Sequence, residues 1–290
     1  VRFFYLALLL LMIATTAMAE TIKVHFPYTL AEGDNRDAYF LKVLDLAMTY
    51  ADTDSVQLVP VNTTVTKSRA LLEMQRGRQF DLVWSMTSTE REKHLLPVRI
   101  PLMRGLLGHR LFLIRENDQH RFDDVSNLDE LSLLIAGQGH DWPDTRILRA
   151  NSLDVRTSTR YQNLFHMLRM ERFDYFPRSV AEIWPEMKAQ AGQGIVLEDG
   201  LALRYPAPIY FFVRQDAREL ADILEDGLRA AISDGALQRL LREHPDTAPI
   251  FEHRLLEERR ILDLENPLLP PETPLDEKAL WLDDAQWLGQ

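Results

Sequence analysis

Past the first twenty residues, apolar and polar positions repeat with two periods in turn. "TIKVHFPY" (Thr21–Tyr28) alternates every second residue and predicts a strand. "DAYFLKVLDLAMTYA" (Asp37–Ala51) sets Tyr39, Phe40, Val43, Leu44, Leu46, Ala47 and Tyr50 at helical spacing, with Asp37 placed as a cap. "SVQLVPV" predicts the next strand. "KSRALLEMQRG" predicts a helix that ends at Gly77, the residue type favoured just past a helix. "FDLVW" predicts a third strand. Strand, helix, strand, helix, strand is the order that builds a parallel sheet with helices on its faces.

The same alternation then runs again. "LLGHRLFLIRE" (Leu106–Glu116) is a longer strand pattern. After it come a helix near Asn127–Leu131, the strand "LSLLIAG", a helix through Ile147–Ala150 and a short strand near Asp154–Thr157. The helix "YQNLFHMLRME" and the strand "FDYFP" complete the second round. Each round occupies about 90–95 residues, the size of one domain. A further strand, "APIYFFVRQD" (Ala207–Asp216), leads into the helices "ARELADILEDGLRAAIS" and "GALQRLLREH". Beyond them the periodicity fades. "LENPLLPPETPLDEKALWL" carries Pro267, Pro270, Pro271 and Pro274 and has too few apolar repeats for a domain of its own. It reads as a segment wrapped on the surface, with leucines and Trp281 docked in grooves.

The first twenty residues are of another kind. Arg2 precedes an apolar run from Phe3 to Ala14, and Ala17-Met18-Ala19 ends it. This is the pattern of a secretory signal peptide with cleavage after Ala19. The rival, a membrane anchor, needs a run of about 20 apolar residues. No later stretch is apolar enough to span a bilayer. The expected location is outside the cytoplasm, and the periplasm suits the signal and the count of 0 Cys. A chain of 290 residues less this signal has about 270 left, enough for one or two cores without disulfides. The formal net charge is -11, which argues against nucleic acid or anionic membrane surfaces as partners. A local pocket can still oppose the global sign.

Few catalytic signatures are present. The 8 His form no metal-ligand spacing, and there is no G-x-S-x-G elbow. "AGQGHDWPD" holds Gly137 and Gly139 but lacks the third glycine of a dinucleotide fingerprint. No cofactor is implied. The candidate chemistry lies in "FDLVWSMTSTEREKHLLP" (Phe80–Pro97), where a strand ends in Ser85, Thr87, Ser88 and Thr89. Thr89 and Glu92 are spaced as a capping box, which predicts a helix cap at Thr89. Arg91 falls in the first turn of that helix. A guanidinium fork beside hydroxyl donors and a positive helix end suits a carboxylate. Ligands of open α/β sheets bind beyond the carboxyl ends of strands. That rule adds Tyr28, Trp84 and the run Gly139, His140, Asp141, Trp142 as candidates, the aromatics for stacking on a flat ligand or cation.

The order Asp81, Thr87, Thr89, Arg91, Pro101 resembles the signature of bacterial extracellular solute-binding proteins of family 3, the polar amino-acid type. "FDDVSNLDEL" resembles that family's entry to its second lobe. "LRMERFDYF" resembles its Arg-x-Asp-Ala strand, and "APIYFFVRQDARELADILEDGLRAAISDGALQRLL" its return strand and helices. The likeness spans most of Ile22–Glu243.

The resemblance implies an α/β fold of two lobes, the type II periplasmic binding fold. Two mixed sheets would be flanked by helices and joined by crossover strands near Leu111–Arg115 and Ile209–Arg214. Lobe 1 would take residues 20–111 and 211–249, lobe 2 residues 112–210, and 250–290 would be an extension. The implied function is binding of a small polar or anionic, amino acid-like solute by hinge closure, as a monomer, for delivery to a membrane permease of an ABC transporter. A sensing domain for a membrane receptor is the first alternative. A lyase on the same scaffold, using Glu182, Asp141 or His140, is the second. One departure stands out. Where amino-acid binders carry an Asp for the ligand ammonium, this chain has Ser179, beside Arg178, with Glu182 one turn on. Arg178 and Ser179 suit a second anionic or polar group.

Overall fold

A computed structural model describes residues 21–28, 37–51, 53, 55–63, 65–254 and 256–282. The expected signal peptide lies outside them. Among the described residues no helix is long and apolar enough to cross a membrane.

The first half builds one α/β lobe. It runs β1 (Ile22–Tyr28), α1 (Ala38–Ala51), β2 (Val56–Asn62), α2 (Lys67–Gln75), β3 (Leu82–Met86), the one-turn α3 (Thr89–Glu92) and β4 (Leu95–Val98). The β1–β2 pair is parallel, as the βαβ pattern requires. Thr66 caps α2 by accepting the Arg69 N–H, and Gly77 follows its end at φ +66°. A left-handed residue there is the expected helix stop.

The chain then crosses to the second lobe. There it forms β5 (His109–Arg115), α4 (Leu128–Leu131), β6 (Ala136–Gly139), α5 (Pro143–Ala150), β7 (Val155–Ser158), α6 (Tyr161–Arg169), β8 (Phe176–Ser179), α7 (Val180–Ala189), β9 (Ile195–Leu197) and β10 (Leu201–Arg204). It returns through β11 (Ile209–Arg214), which inserts antiparallel between β3 and β4. The long helix α8 (Arg218–Ser233) packs on α1, and α9 (Ala236–Glu243) follows. The first lobe is therefore discontinuous in sequence. β5 and β11 were expected as the crossovers, but each lies wholly within one sheet. The crossings fall just before them, at residues 105–108 and 205–208.

Those two crossings touch. A Cβ on Gly108 would sit 2.0 Å from the Tyr205 carbonyl oxygen. The Tyr205 N–H donates back to the Gly108 carbonyl at 3.2 Å.

Residues beyond His244 do more than wrap. After α10 (Ala248–Glu252), β12 (Arg260–Asp263) joins the second lobe's sheet, parallel to β10 on its outer edge. Leu262, Leu264 and Leu268 are buried with Leu203, Tyr205 and Ala207, while Leu280 and Leu282 join the larger apolar cluster that runs through both lobes.

Substituting Gly108→Ala should lower stability by about 2 kcal/mol or more, because the added methyl meets backbone that cannot swing aside. Urea unfolding measures this. An unchanged midpoint would mean that the crossings can separate without cost.

Candidate functional site

The first-lobe wall begins where β3 ends. Ser88, not Thr89, is the cap of α3. Its hydroxyl accepts the Arg91 N–H at 3.2 Å. The shift by one residue has two causes. Glu92 is spent elsewhere, accepting from the Thr87 hydroxyl at 2.6 Å and pairing with Arg99. Thr89 is held by the extension, since its N–H donates to the Leu268 carbonyl at 2.9 Å. So the expected capping box does not form, and the Thr87 hydroxyl is already engaged.

Arg91 is the unusual cation of this wall. It is half-buried, and its guanidinium donates to the Met86 carbonyl. Among the described residues no carboxylate pairs with it. Burial disfavours its charged form and lowers its pKa. A guanidinium has five donors, so this one retains capacity for an acceptor oxygen.

Trp84 differs from the expectation. It is 1% exposed and packs among Phe26, Phe40 and Phe211. Its indole N–H donates to Asp37 at 2.9 Å, and the Lys67 ammonium sits 4.2 Å above its ring. Trp84 is thus a core residue with its cation supplied by the chain itself. Ser85 is half-buried within β3, opposite Tyr210. Tyr28 ends β1, half-buried, its carbonyl accepting the Thr63 N–H at 2.9 Å.

On the second lobe the segments 139–142 and 178–182, both assigned to it by the sequence reading, lie side by side. Trp142 opens α5 and folds back over Gly139, where a Cβ would lie 2.3 Å from the indole. Only glycine leaves room for that ring. Trp142 stacks on Phe176, with centroids 6.3 Å apart and planes at 18°. The Arg178 guanidinium lies 4.8 Å from the Trp142 ring, 5.0 Å from Phe176 and 5.7 Å from Tyr161. It donates to Glu186 through Nε at 2.8 Å and Nη2 at 2.6 Å. Glu182 adds a second carboxylate at 3.2 Å. Burial alone would lower the Arg178 pKa, but Glu182 and Glu186 outweigh it and hold the cation firmly charged.

Arg178 is therefore closed off, contrary to its expected role as an open anion donor. Ser179 is buried and caps α7 in a true capping box with Glu182. Glu182 also reaches Arg110 at 3.4 Å. Arg110 in turn pairs with Asp144 at 2.7 Å and donates to the Tyr205 hydroxyl at 2.8 Å. His140 and Asp141 are exposed at the end of β6. The His140 Nδ1 lies 3.4 Å from the Thr157 hydroxyl, and Asp141 has no ion pair among the described residues. No group of three or more His, Asp or Glu able to hold a metal occurs among the described residues.

Sequence reasoning missed Tyr161, Glu186, Arg110 and Asp144. Glu182 and Glu186 stand one helical turn apart, and that spacing after Arg178 was the signal available.

No protein-family model matches the chain, and no curated protein matches it. Solved structures do. The probable amino-acid ABC transporter extracellular-binding protein ytmK from Bacillus subtilis is 14% identical, covers 79% of this chain and 100% of its own, and has a TM-score of 0.58. A periplasmic binding protein of Salmonella typhimurium with high arginine specificity is 15% identical, covers 76% and 98%, and has a TM-score of 0.54. The VFT2 domain of BvgS from Bordetella pertussis, as a double mutant, is 17% identical, covers 75% and 91%, and has a TM-score of 0.56. The likeness shows the fold, a two-lobe α/β binding-protein architecture of type II. About a fifth to a quarter of this chain lies outside each match.

Two outcomes follow for this wall. Ser88→Ala should cost about 1 kcal/mol through the lost cap, and Thr89→Ala clearly less. Equal losses in urea unfolding would return the cap to Thr89. Glu186→Gln should cost about 3 kcal/mol or more, because it strips charge from a buried pair. A cost under about 1 kcal/mol, the size for an exposed pair, would show that Arg178 is open to solvent.

Proposed function

We propose that the chain binds a small polar solute with an anionic group between its two lobes, in the periplasm, and presents it to a membrane transporter. The observation that carries this reading is Arg91. It is a half-buried guanidinium beyond the end of a sheet strand, without a carboxylate partner among the described residues. Every other part of the wall supports one anchored end. Arg178 and Arg110 are neutralised within the second lobe, so they do not compete for the anion.

The far end of the solute would meet the second lobe near Asp141. Glu182, the first substitute for an ammonium partner, is shared by Arg110 and Arg178. Asp141 is the exposed carboxylate beside Trp142 that has no such commitment. The solved structures of similar fold include proteins described as amino-acid and arginine binders, which supports a zwitterionic or amino acid-like class.

A thermal-shift screen against amino acids, dicarboxylates, polyamines and short peptides tests the reading. A specific solute at about 100 times its dissociation constant stabilises the fold by about 2.7 kcal/mol. Arg91→Ala should abolish that shift for the hit, while Lys93→Ala, an exposed neighbour paired with Glu90, should leave it intact. A retained shift in Arg91→Ala would remove Arg91 from the site. Asp141→Asn should weaken a zwitterion and spare or strengthen a dicarboxylate, so the same screen separates the two classes.

A further inference from the structure

The two-lobe fold needs two chain crossings, yet the described residues of this chain trace four. Besides residues 105–108 and 205–208, the segment from α9 to β12 passes from the first lobe to the second. The segment after β12 then passes back.

The outward passage touches the second lobe on its way, with α10 packed against α7. His253, just after α10, stacks on Trp184 of α7, with ring centroids 3.8 Å apart and planes at 25°. Ile250 of the same α10 is buried in the large apolar cluster. β12 then pairs with β10 through four residues in register, Leu201↔Arg260 to Arg204↔Asp263.

The return passage follows the existing crossing closely. The Leu264 N–H donates to the Arg204 carbonyl at 2.8 Å, and the Asn266 side chain donates to the Pro206 carbonyl at 2.7 Å. Leu268 is buried in one cluster with Met86 of the first lobe and Tyr205 and Ala207 of the crossing. Its carbonyl takes the Thr89 N–H of α3.

The end of the strap is fastened to the first lobe. Leu280 and Leu282 are buried in the large apolar cluster that runs through both lobes, the Leu282 N–H donates to the Arg104 carbonyl at 3.0 Å, and Glu277 pairs with Arg229 of α8 at the first lobe. The Arg104 guanidinium, itself buried, donates to the carbonyls of Ala279 at 2.9 Å and Trp281 at 3.2 Å. Trp281 lies over Gly105, where a Cβ would come within 2.9 Å of its ring. These anchors sit on the crossing segment itself, so the strap grips the hinge as well as the lobe.

We propose that residues 248–282 are a built-in clasp that sets the angle between the lobes when no solute is present. A hinge of two strands turns by small changes in a few backbone torsions. Here the middle of the added segment extends the second lobe's sheet as β12, while its two ends are held at the first lobe, by α9 before it and by Arg104 and Arg229 after it. Opening would have to peel β12 from β10, pull Leu268 from between the lobes, or draw Leu280 and Leu282 from the core. The lobes therefore move little until one of those anchors is released. The Leu268 carbonyl also holds the first amide of α3, so the clasp ends at the wall where Arg91 lies.

Pulsed dipolar spectroscopy of the full chain tests this without any solute. Its failure is therefore separate from failure of the Arg91 reading. The sequence has 0 Cys, so Asp222→Cys on α8 and Arg156→Cys on β7, both exposed, provide the thiols for two spin labels. The expected result is one narrow distance distribution for the otherwise unaltered chain. Leu268→Ser, at the middle of the strap, and Trp281→Ser, at its first-lobe end, should each shift or broaden it, with folding checked by thermal melting. A broad or two-peaked distribution in the unaltered chain would overturn the proposal whether or not the variants fold. An unchanged distribution in a folded variant of either kind would also overturn it.

Discussion

The contact of Gly108 with the Tyr205 backbone is the constraint on which the second lobe's wall depends. Absence of a Cβ lets the two crossings lie against each other. That closeness positions Tyr205, whose buried hydroxyl accepts from Arg110 and donates to Asp144. Asp144 stands in the first turn of α5, where a carboxylate also favours the positive end of the helix. With α5 fixed, Trp142 at its cap is aimed over Gly139 and onto the Arg178 cage. A backbone approach at the hinge is in this way transmitted to an aromatic wall by one tyrosine and one ion pair.

The charges are divided unevenly between the walls. Arg110 and Arg178 are buried, and each is matched by carboxylates close enough to outweigh desolvation. They stiffen the lobe and are unavailable to an incoming anion without breaking a buried pair, which is costly. Arg91 is the opposite case. Its partial burial has no compensating carboxylate among the described residues, and its pKa moves down accordingly. A site that must gain energy only when loaded is built better from the second kind of arginine than from the first.

Much of the fold was legible because its elements are long and periodic. Asp37–Ala51 and the strand–helix alternation on either side of it needed only spacing. The one-turn α3 was located within a residue, and the error at Thr89 is instructive. The capping-box spacing to Glu92 was present, but Arg99 and Thr87 took the carboxylate and Leu268 took the amide. Thr87 and Arg99 are near in the chain and compete with the capping spacing, while Leu268 is reached only by tertiary contact, which a local motif does not encode. Trp84 and Arg178 were misplaced for a related reason. Sequence located them correctly near strand ends. Whether a ring or a guanidinium faces the cleft or the core depends on neighbours such as Phe26 and Phe40 for Trp84, far away in the chain, and Tyr161 as well as the nearby Glu186 for Arg178. β9 and β12, at three and four residues, are too short for periodicity to register.

The extension shows the same limit at a larger scale. Its prolines break any repeat, so the segment reads as irregular. Irregular backbone can still be fully committed when its carbonyls and amides find partners, as Leu264, Leu268, Ala279 and Leu282 do. Those partners lie on both lobes and on the crossing between them. A lone solute must gather two lobes from a range of angles and bear the ordering cost of doing so. Lobes already gathered by their own chain leave less of that cost to the solute.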